Sequence, residues 1–188
     1  ALAERLSEES GPEVIIVNPQ SAEGWLESEL MDSTRARLYE AVRAKDKNDR
    51  FRMFHPFNAT GTSIYVHAKI LIVDDNYIRI GSSNFNNRSL GFDSECDVAI
   101  DASAASDAAA ADQIARIRND LLAEHLGSDE QEVRMTLKAT GSLIATINIL
   151  GKPGRMLLPY QTPDTGAVED WLAENDILDP KRADDVYA

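Results

Sequence analysis

Polar residues interrupt the otherwise aliphatic segment 64–100, and their types suit chemistry on a phosphodiester. They are His67, Lys69, Asp74, Ser82, Asn84 and Glu95. A phosphodiester needs a positive charge and hydrogen-bond donors on its non-bridging oxygens, above all in the transition state, where negative charge gathers there. A lysine, a serine and an asparagine can supply these groups. An imidazole can act as nucleophile or proton donor near neutral pH.

Two predicted strands position this set. Residues 64–74 and 77–83 are rich in β-branched and aromatic residues, and the segment 74–76 between them predicts a turn. Side chains alternate between the faces of a strand, so residues two apart share a face. His67 and Lys69 are therefore expected on one face of the first strand.

The end of the second predicted strand completes the candidate site. Ser82 and Asn84 are again two apart, and Gly81 before them removes a side chain where a backbone or a ligand can approach. If the turn pairs the strands, these side chains converge with the imidazole and the ammonium group. Glu95, at the start of the next predicted strand, is the candidate carboxylate that orients the ring of His67.

Other residues near this set have structural interpretations. Asp74 is seven residues from His67, so in an unbroken strand it faces the opposite side and is expected to fix the turn or to pair with a basic group. Arg88 is expected to pin the loop 86–93, with a pair between Arg88 and Glu95 as an alternative. Cys96 is expected in the core, and His55 is a weaker candidate for substrate contact.

The spacing H-x-K-x4-D-x6-G-S-x-N resembles the signature of the phospholipase D superfamily at every fixed position, and "NNRSLGFDSE" is similar to its downstream extension. The resemblance implies the C-terminal, motif-bearing half of a bacterial-type phospholipase D or transphosphatidylase. It carries over the catalytic set and the substrate-binding set by position. The catalytic set is His67, Lys69, Asp74, Asn84 and Glu95, and the substrate-binding set is Lys69, Ser82 and Asn84.

The same resemblance implies a mechanism with two motifs. One histidine attacks phosphorus to give a phosphohistidine, the other protonates the leaving alcohol, and water or an alcohol then takes the phosphoryl group. No metal or cofactor is implied, and His67 could fill either role. The chain holds one motif, so its expected partner is an upstream second half of the same protein or a second copy in a homodimer. An inactive isolated half-domain is the third alternative.

The composition of the chain argues against some classes of binding partner and of site. The net charge is −13, from 19 basic and 32 acidic residues, which makes nucleic acid an unlikely partner and leaves a phospholipid or another phosphodiester as substrate. The single cysteine excludes a disulfide framework and a cysteine-rich zinc site. No apolar run reaches membrane-spanning length, and the composition favours the cytoplasm or the membrane periphery.

The order of elements predicts an α/β fold with a mixed sheet flanked by helices. Strands are expected over residues 12–18, over 50–57 with an end at Pro56, and over 96–100, and helices over 22–46 and 106–126. Residues 1–127 are predicted to form the phospholipase D-like half-domain, and 128–188 a C-terminal extension of helices and loops. The chain opens inside a predicted helix without an initiator Met, which favours a piece cut from a longer protein.

Overall fold

The computed structural model describes residues 2–20, 35–105, 108–151 and 156–162. The helices are α1 (Leu2–Ser7), α2 (described over residues 35–43), α3 (Asn87–Gly91), α4 (Ala102–Ala105), α5 (Ala108–Leu126), α6 (Glu130–Thr140) and α7 (Leu143–Leu150). The strands are β1 (Val14–Val17), β2 (Phe51–Phe57), β3 (Lys69–Val73), β4 (Tyr77–Gly81), β5 (Asp97–Asp101) and β6 (Met156–Pro159). The predicted α/β fold with strands flanked by helices is confirmed, with the described strands forming two three-stranded sheets.

The first sheet is mixed and has the order β1-β2-β6. β1 runs parallel to β2, and β6 pairs antiparallel with the second half of β2. β6 is a strand in the predicted extension of helices and loops, so that description of the extension was incomplete. The expected helix over 22–46 is confirmed for residues 35–43, while its apolar residues Trp25, Leu26 and Leu30 lie outside the described residues.

Pro56 does not end its strand, contrary to the prediction, because β2 continues to Phe57. The ladder with β1 stops at Phe54, and the carbonyl oxygen of Pro56 accepts a hydrogen bond of 2.8 Å from the Ile64 N–H. The N–H and C=O groups of one strand residue point to the same edge, so the missing N–H of Pro56 faces away from β6. The proline therefore removes no hydrogen bond from the β2–β6 ladder.

The second sheet is antiparallel and has the order β3-β4-β5. Lys69 pairs with Gly81 and Val73 with Tyr77, which confirms the hairpin that the sequence predicted. β4 then pairs with β5 along its whole length, from Tyr77 opposite Asp101 to Gly81 opposite Asp97. The strand order follows the order of the chain, so short connections suffice to build this sheet.

The chain forms two compact units, and each has its own core. The first unit takes the described residues up to Val66 and those from Leu122 onward. Its core contains the fully buried Leu6, Leu126 and Val133. The second unit runs from His67 to Leu121 in the described chain, and its core is Ile78, Ala102 and Ile114. The predicted domain boundary after residue 127 remains a prediction.

Candidate active site

The open end of the β3–β4 hairpin carries most of the candidate site. Lys69 is the first residue of β3 and lies opposite Gly81, the last residue of β4. Ser82, Ser83 and Asn84 follow Gly81 directly, so they leave the sheet at the end where β3 begins. The structure thus places the candidate ammonium, hydroxyl and carboxamide groups on one end of one hairpin.

His67 lies just outside this hairpin, because β3 begins at Lys69 and not at residue 64 as predicted. β4 ends at Gly81 and offers no partner to residues 64–68, while the Ile64 N–H is bonded to the Pro56 carbonyl oxygen. His67 therefore lies outside the strand in which side-chain alternation would put it on the face of Lys69. The link that is present runs through the backbone: Lys69 Nζ donates a hydrogen bond of 2.7 Å to the carbonyl oxygen of His67. The imidazole is exposed.

Ser82 and Glu95 are brought into direct contact. Ser82 Oγ donates to Glu95 Oε2 at 2.5 Å and accepts from the Cys96 N–H at 3.0 Å. The Ser82 N–H donates in turn to the Cys96 carbonyl oxygen at 3.2 Å, which extends the β4–β5 ladder by one residue. Glu95 therefore fixes the rotamer of a candidate phosphate-binding hydroxyl. Its role as the carboxylate that orients His67 stays a prediction.

A second serine–carboxylate contact lies beside the first and was missed by sequence reasoning. Asp97 accepts hydrogen bonds from both the hydroxyl and the backbone N–H of the buried Ser83, the latter at 3.2 Å. These bonds lower the pKa of Asp97, helped by the Arg79 guanidinium at 3.7 Å. The sequence did contain one signal for this contact. Asp97 follows Glu95 by two residues, and residues two apart on a strand share a face, so Asp97 could have been predicted to lie beside Glu95.

Gly81 is required because β5 passes close to it. A methyl group at this position would lie 2.5 Å from the carbonyl oxygen of Cys96 and 2.6 Å from Cα of Asp97, and would collide with the Asp97 carboxylate. The expectation that Gly81 admits a close backbone neighbour is confirmed. The neighbour is the strand whose carboxylate holds Ser83.

Asp74 lies at the turn, the end of the hairpin opposite Lys69. Asp74 and Asp75 both have left-handed backbone, with φ of 48° and 57°, and the Asn76 N–H donates to the Val73 carbonyl oxygen at 3.0 Å. Asp75 forms an ion pair with Arg118 of α5, and burial lowers the pKa of that guanidinium. The turn position of Asp74 agrees with the structural interpretation, and its catalytic role remains a prediction.

The loop after Asn84 closes on itself. Arg88 donates to Asp93 through Nε at 3.2 Å and Nη2 at 2.9 Å, so the expectation that Arg88 pins this loop is confirmed. The pair lowers the pKa of the Asp93 carboxyl. Cys96, in contrast, is exposed, and its predicted place in the core is wrong. It precedes an edge strand whose five residues are all exposed.

His55 takes a structural place. Its ring is buried in β2, Nδ1 lies 3.0 Å from the Asn18 carbonyl oxygen, and the ring packs edge-on against Tyr160 at 5.3 Å between centroids. A buried histidine with such partners is a packed core residue. Substrate contact by His55 stays an untested alternative, and the arrangement favours the structural one.

Metal-binding clusters and membrane-spanning helices are both absent from the described residues. No group of three or more His, Cys, Asp or Glu side chains there could hold a metal ion. No helix in that part of the chain is long and apolar enough to cross a membrane.

The sequence of the chain is similar to sequences of known proteins. The phospholipase D family matches residues 33–145. Phospholipase D alpha 1 of Spuriopimpinella brachycarpa is 46% identical over 68 residues, which are 34% of this chain and 8% of the relative. Phospholipase D gamma 3 of Arabidopsis thaliana is 33% identical over 124 residues, 56% of this chain and 14% of the relative.

The chain therefore spans a small part of the length of these relatives. Phospholipase D delta of Arabidopsis thaliana repeats the pattern, with 37% identity over 82 residues that cover 40% of this chain and 9% of the relative. No solved structure matches the chain. The relatives named here are plant proteins, and the predicted affinity with bacterial-type enzymes remains a prediction.

Proposed function

Because the chain belongs to the phospholipase D family, we propose that it supplies one histidine motif of a two-motif site that cleaves phospholipid phosphodiesters. The observation that carries the proposal is the open end of the β3–β4 hairpin, where Lys69 stands opposite the residue before Ser82. Lys69, Ser82 and Asn84 are the groups for the non-bridging oxygens, and His67 is the reacting group.

The proposed reaction has two steps. One motif histidine attacks phosphorus, a nitrogen–phosphorus bond forms, and the bond from phosphorus to the leaving alcohol breaks. The second histidine gives that alcohol a proton and then removes one from water, whose oxygen attacks phosphorus while the nitrogen–phosphorus bond breaks and the first histidine is released. A second alcohol in place of water would give phosphatidyl transfer. His67 takes one of these two roles, and an imidazole suits both near neutral pH.

The Ser82–Glu95 contact links substrate binding to the carboxylate. A hydroxyl has a single proton and can donate one hydrogen bond, and Ser82 donates it to Glu95 at 2.5 Å. To donate to a phosphate oxygen, Ser82 must rotate away from Glu95, which leaves the carboxylate free to accept from an imidazole. Arrival of the phosphodiester would thus turn Glu95 from the partner of Ser82 into the partner of a motif histidine.

The experiment that tests this function measures hydrolysis of phosphatidylcholine and of bis(p-nitrophenyl) phosphate by the purified chain, alone and with an added segment that carries the other motif. His67→Ala and Lys69→Met are compared with Lys138→Met, an exposed lysine of α6 that serves as the matched control. We expect His67→Ala to reduce turnover to background and Lys69→Met to reduce it at least about a hundredfold. The control should keep wild-type turnover. Near-normal turnover by a folded His67→Ala chain would contradict the proposal.

The origin of the second motif is tested in the same assay. If two copies of this chain build one site, specific activity rises with protein concentration, and a mixture with excess His67→Ala chain is inhibited. If the second motif belongs to another half of a longer protein, the folded chain is inactive alone. Adding a segment that carries the other motif then restores turnover.

A nuclease is the second candidate, and it keeps the same chemistry on a different phosphodiester. The net charge of −13 opposes it, because phosphate-backbone binding relies on basic residues. Salt-dependent binding of single-stranded DNA, with an affinity that falls steeply as salt is raised, would favour the nuclease over the phospholipase.

A further inference from the structure

The loop of residues 85–93 exposes large apolar side chains beside the candidate site. Phe85 is 75% exposed, Leu90 57% and Phe92 37%. Phe85 follows Asn84 directly, and the loop ends two residues before Glu95. Exposed apolar groups of this size next to a functional set indicate an interaction surface.

Internal hydrogen bonds hold this loop in one conformation. Asn86 caps α3 by accepting from the Ser89 N–H at 2.9 Å. The N–H groups of Phe92 and Asp93 both donate to the Arg88 carbonyl oxygen, at 2.8 and 2.9 Å. Ser89 is buried and faces inward, while Leu90 beside it is exposed. Internal hydrogen bonds thus hold the backbone that presents these apolar side chains, so less backbone entropy is lost when they bind a surface.

The negative charge of the whole chain restricts the kind of surface that these apolar side chains can bind. Arg88 is the only basic residue of the loop, and it is already paired with Asp93. Glu95, two residues after the end of the loop, adds a negative charge. The whole chain carries −13. Anionic lipids and nucleic acids are repelled by such a protein, whereas a surface with neutral headgroups is not.

We propose that the 85–93 loop docks the second unit on zwitterionic phospholipid surfaces by inserting Phe85, Leu90 and Phe92 among the lipid headgroups and upper acyl chains. The proposal rests on the proposed function, since a phospholipid places its phosphodiester at the headgroup level, next to apolar chains. Aromatic and leucine side chains are the residues that interfacial segments use for this contact. Ser82, Asn84 and Glu95, at the two ends of the loop, would then be brought to the depth of the phosphate.

Vesicle flotation tests the proposal, with phosphatidylcholine vesicles and vesicles in which part of the lipid is phosphatidylglycerol. The matched pair of variants is Leu90→Ser and Leu38→Ser, because Leu38 of α2 is 59% exposed and lies in the first unit. We expect Phe85→Ser and Leu90→Ser each to weaken binding to phosphatidylcholine, by about tenfold for Phe85. Leu38→Ser should bind as wild type does, and phosphatidylglycerol should reduce binding by all chains. Circular dichroism verifies that each variant is folded.

The outcomes separate this inference from the proposed function. Wild-type chain that ignores phosphatidylcholine vesicles, or that binds them equally with and without Phe85 and Leu90, overturns the docking surface. Hydrolysis of a short-chain phosphatidylcholine below its micelle concentration, measured in parallel, needs no bilayer. Turnover of that soluble lipid without vesicle binding keeps the function and removes the docking surface. Loop-dependent vesicle binding keeps the docking surface, and turnover that stays absent even after a segment with the other motif is added removes the function.

Discussion

The two compact units of this chain are stabilised differently. Among the described residues of the first unit, one core cluster alone contains eight buried residues, including Phe54, Leu126 and Val133, and a second cluster surrounds Phe51. Among the described residues of the second unit, the core cluster has Ile78, Ala102 and Ile114 as its buried members. The unit with the candidate site therefore relies less on apolar burial than the unit without it.

Polar contacts replace that burial around the site. Ser82 is held by Glu95 and Ser83 by Asp97, and an ion pair ties the hairpin turn to α5. One row of the second sheet, Ile70–Ile80–Val98 across the three strands, is 37 to 68% exposed. Side chains that must meet a ligand cannot be buried, so a hydrogen bond to a neighbouring carboxylate fixes the exposed Ser82 in place. The comparison predicts different sensitivities to substitution in the two units.

The largest effect is expected in the first unit. Leu126→Ala removes a fully buried side chain from the cluster with Phe54 and Val133. We expect the free energy of unfolding to fall by about 2–5 kcal/mol, because transfer and cavity costs add. Val98→Ala in the second sheet is the comparison, with an expected change within about 0.5 kcal/mol, since Val98 is 68% exposed. Urea denaturation followed by circular dichroism measures both, and equal losses would contradict the contrast between the units.

The second unit has one position where packing dominates. Gly81→Ala would place a methyl group 2.5 Å from the Cys96 carbonyl oxygen, and β5 would have to move. We expect a loss of about 1–3 kcal/mol, as for other overpacked sites. Gly91→Ala is the control, because a methyl group there meets no atom within 4 Å. Thermal unfolding of the two variants measures the difference, and a neutral Gly81→Ala would show that β5 is not held against β4.

The sequence predicted local features well where a single strand or turn decided them. The hairpin, its turn at 74–76 and the close approach at Gly81 followed from β-branched runs and glycine placement. The start of β3 could not be predicted, because it depends on where β4 ends and on the bond from Ile64 to Pro56. The Ser83–Asp97 contact joins residues 14 apart through strand register, which a pattern within one strand does not contain.

A smaller effect is expected at the N-terminus of α7, where a carboxylate from far along the chain caps the helix. Glu13 accepts from the Ser142 hydroxyl and the Leu143 N–H, both at 2.6 Å, and from the Ile144 N–H at 3.2 Å. Glu13→Ala leaves those donors without this acceptor, and we expect a loss of about 1 kcal/mol. The control is Glu9→Ala, an exposed residue of the same segment. Equal unfolding midpoints for the two variants would show that the cap contributes nothing.

The smallest expected effect on stability, and the most specific to the site, is at Asp97. Hydrogen bonds from Ser83 lower the pKa of the Asp97 carboxyl, so ionisation of Asp97 stabilises the folded state. That contribution is fully present above the ordinary aspartate pKa of about 3.9 and is lost as the pH falls through the lower folded value. We therefore expect the Ser83 amide to stay protected from hydrogen exchange, measured by NMR as a protection factor, until the pH falls below that ordinary value.

Asp97→Asn should remove this pH dependence, because an amide cannot titrate and offers one acceptor oxygen in place of two. Asp101→Asn is the matched control, since Asp101 accepts from the N–H and the hydroxyl of Ser103 in the same way at the opposite end of β5. It should leave the Ser83 profile unchanged. Identical Ser83 profiles in wild type and Asp97→Asn would show that β5 positions the site by backbone pairing alone. Hydrogen bonds to carboxylates would then not replace apolar burial in the second unit at Ser83 and Asp97, next to the candidate site.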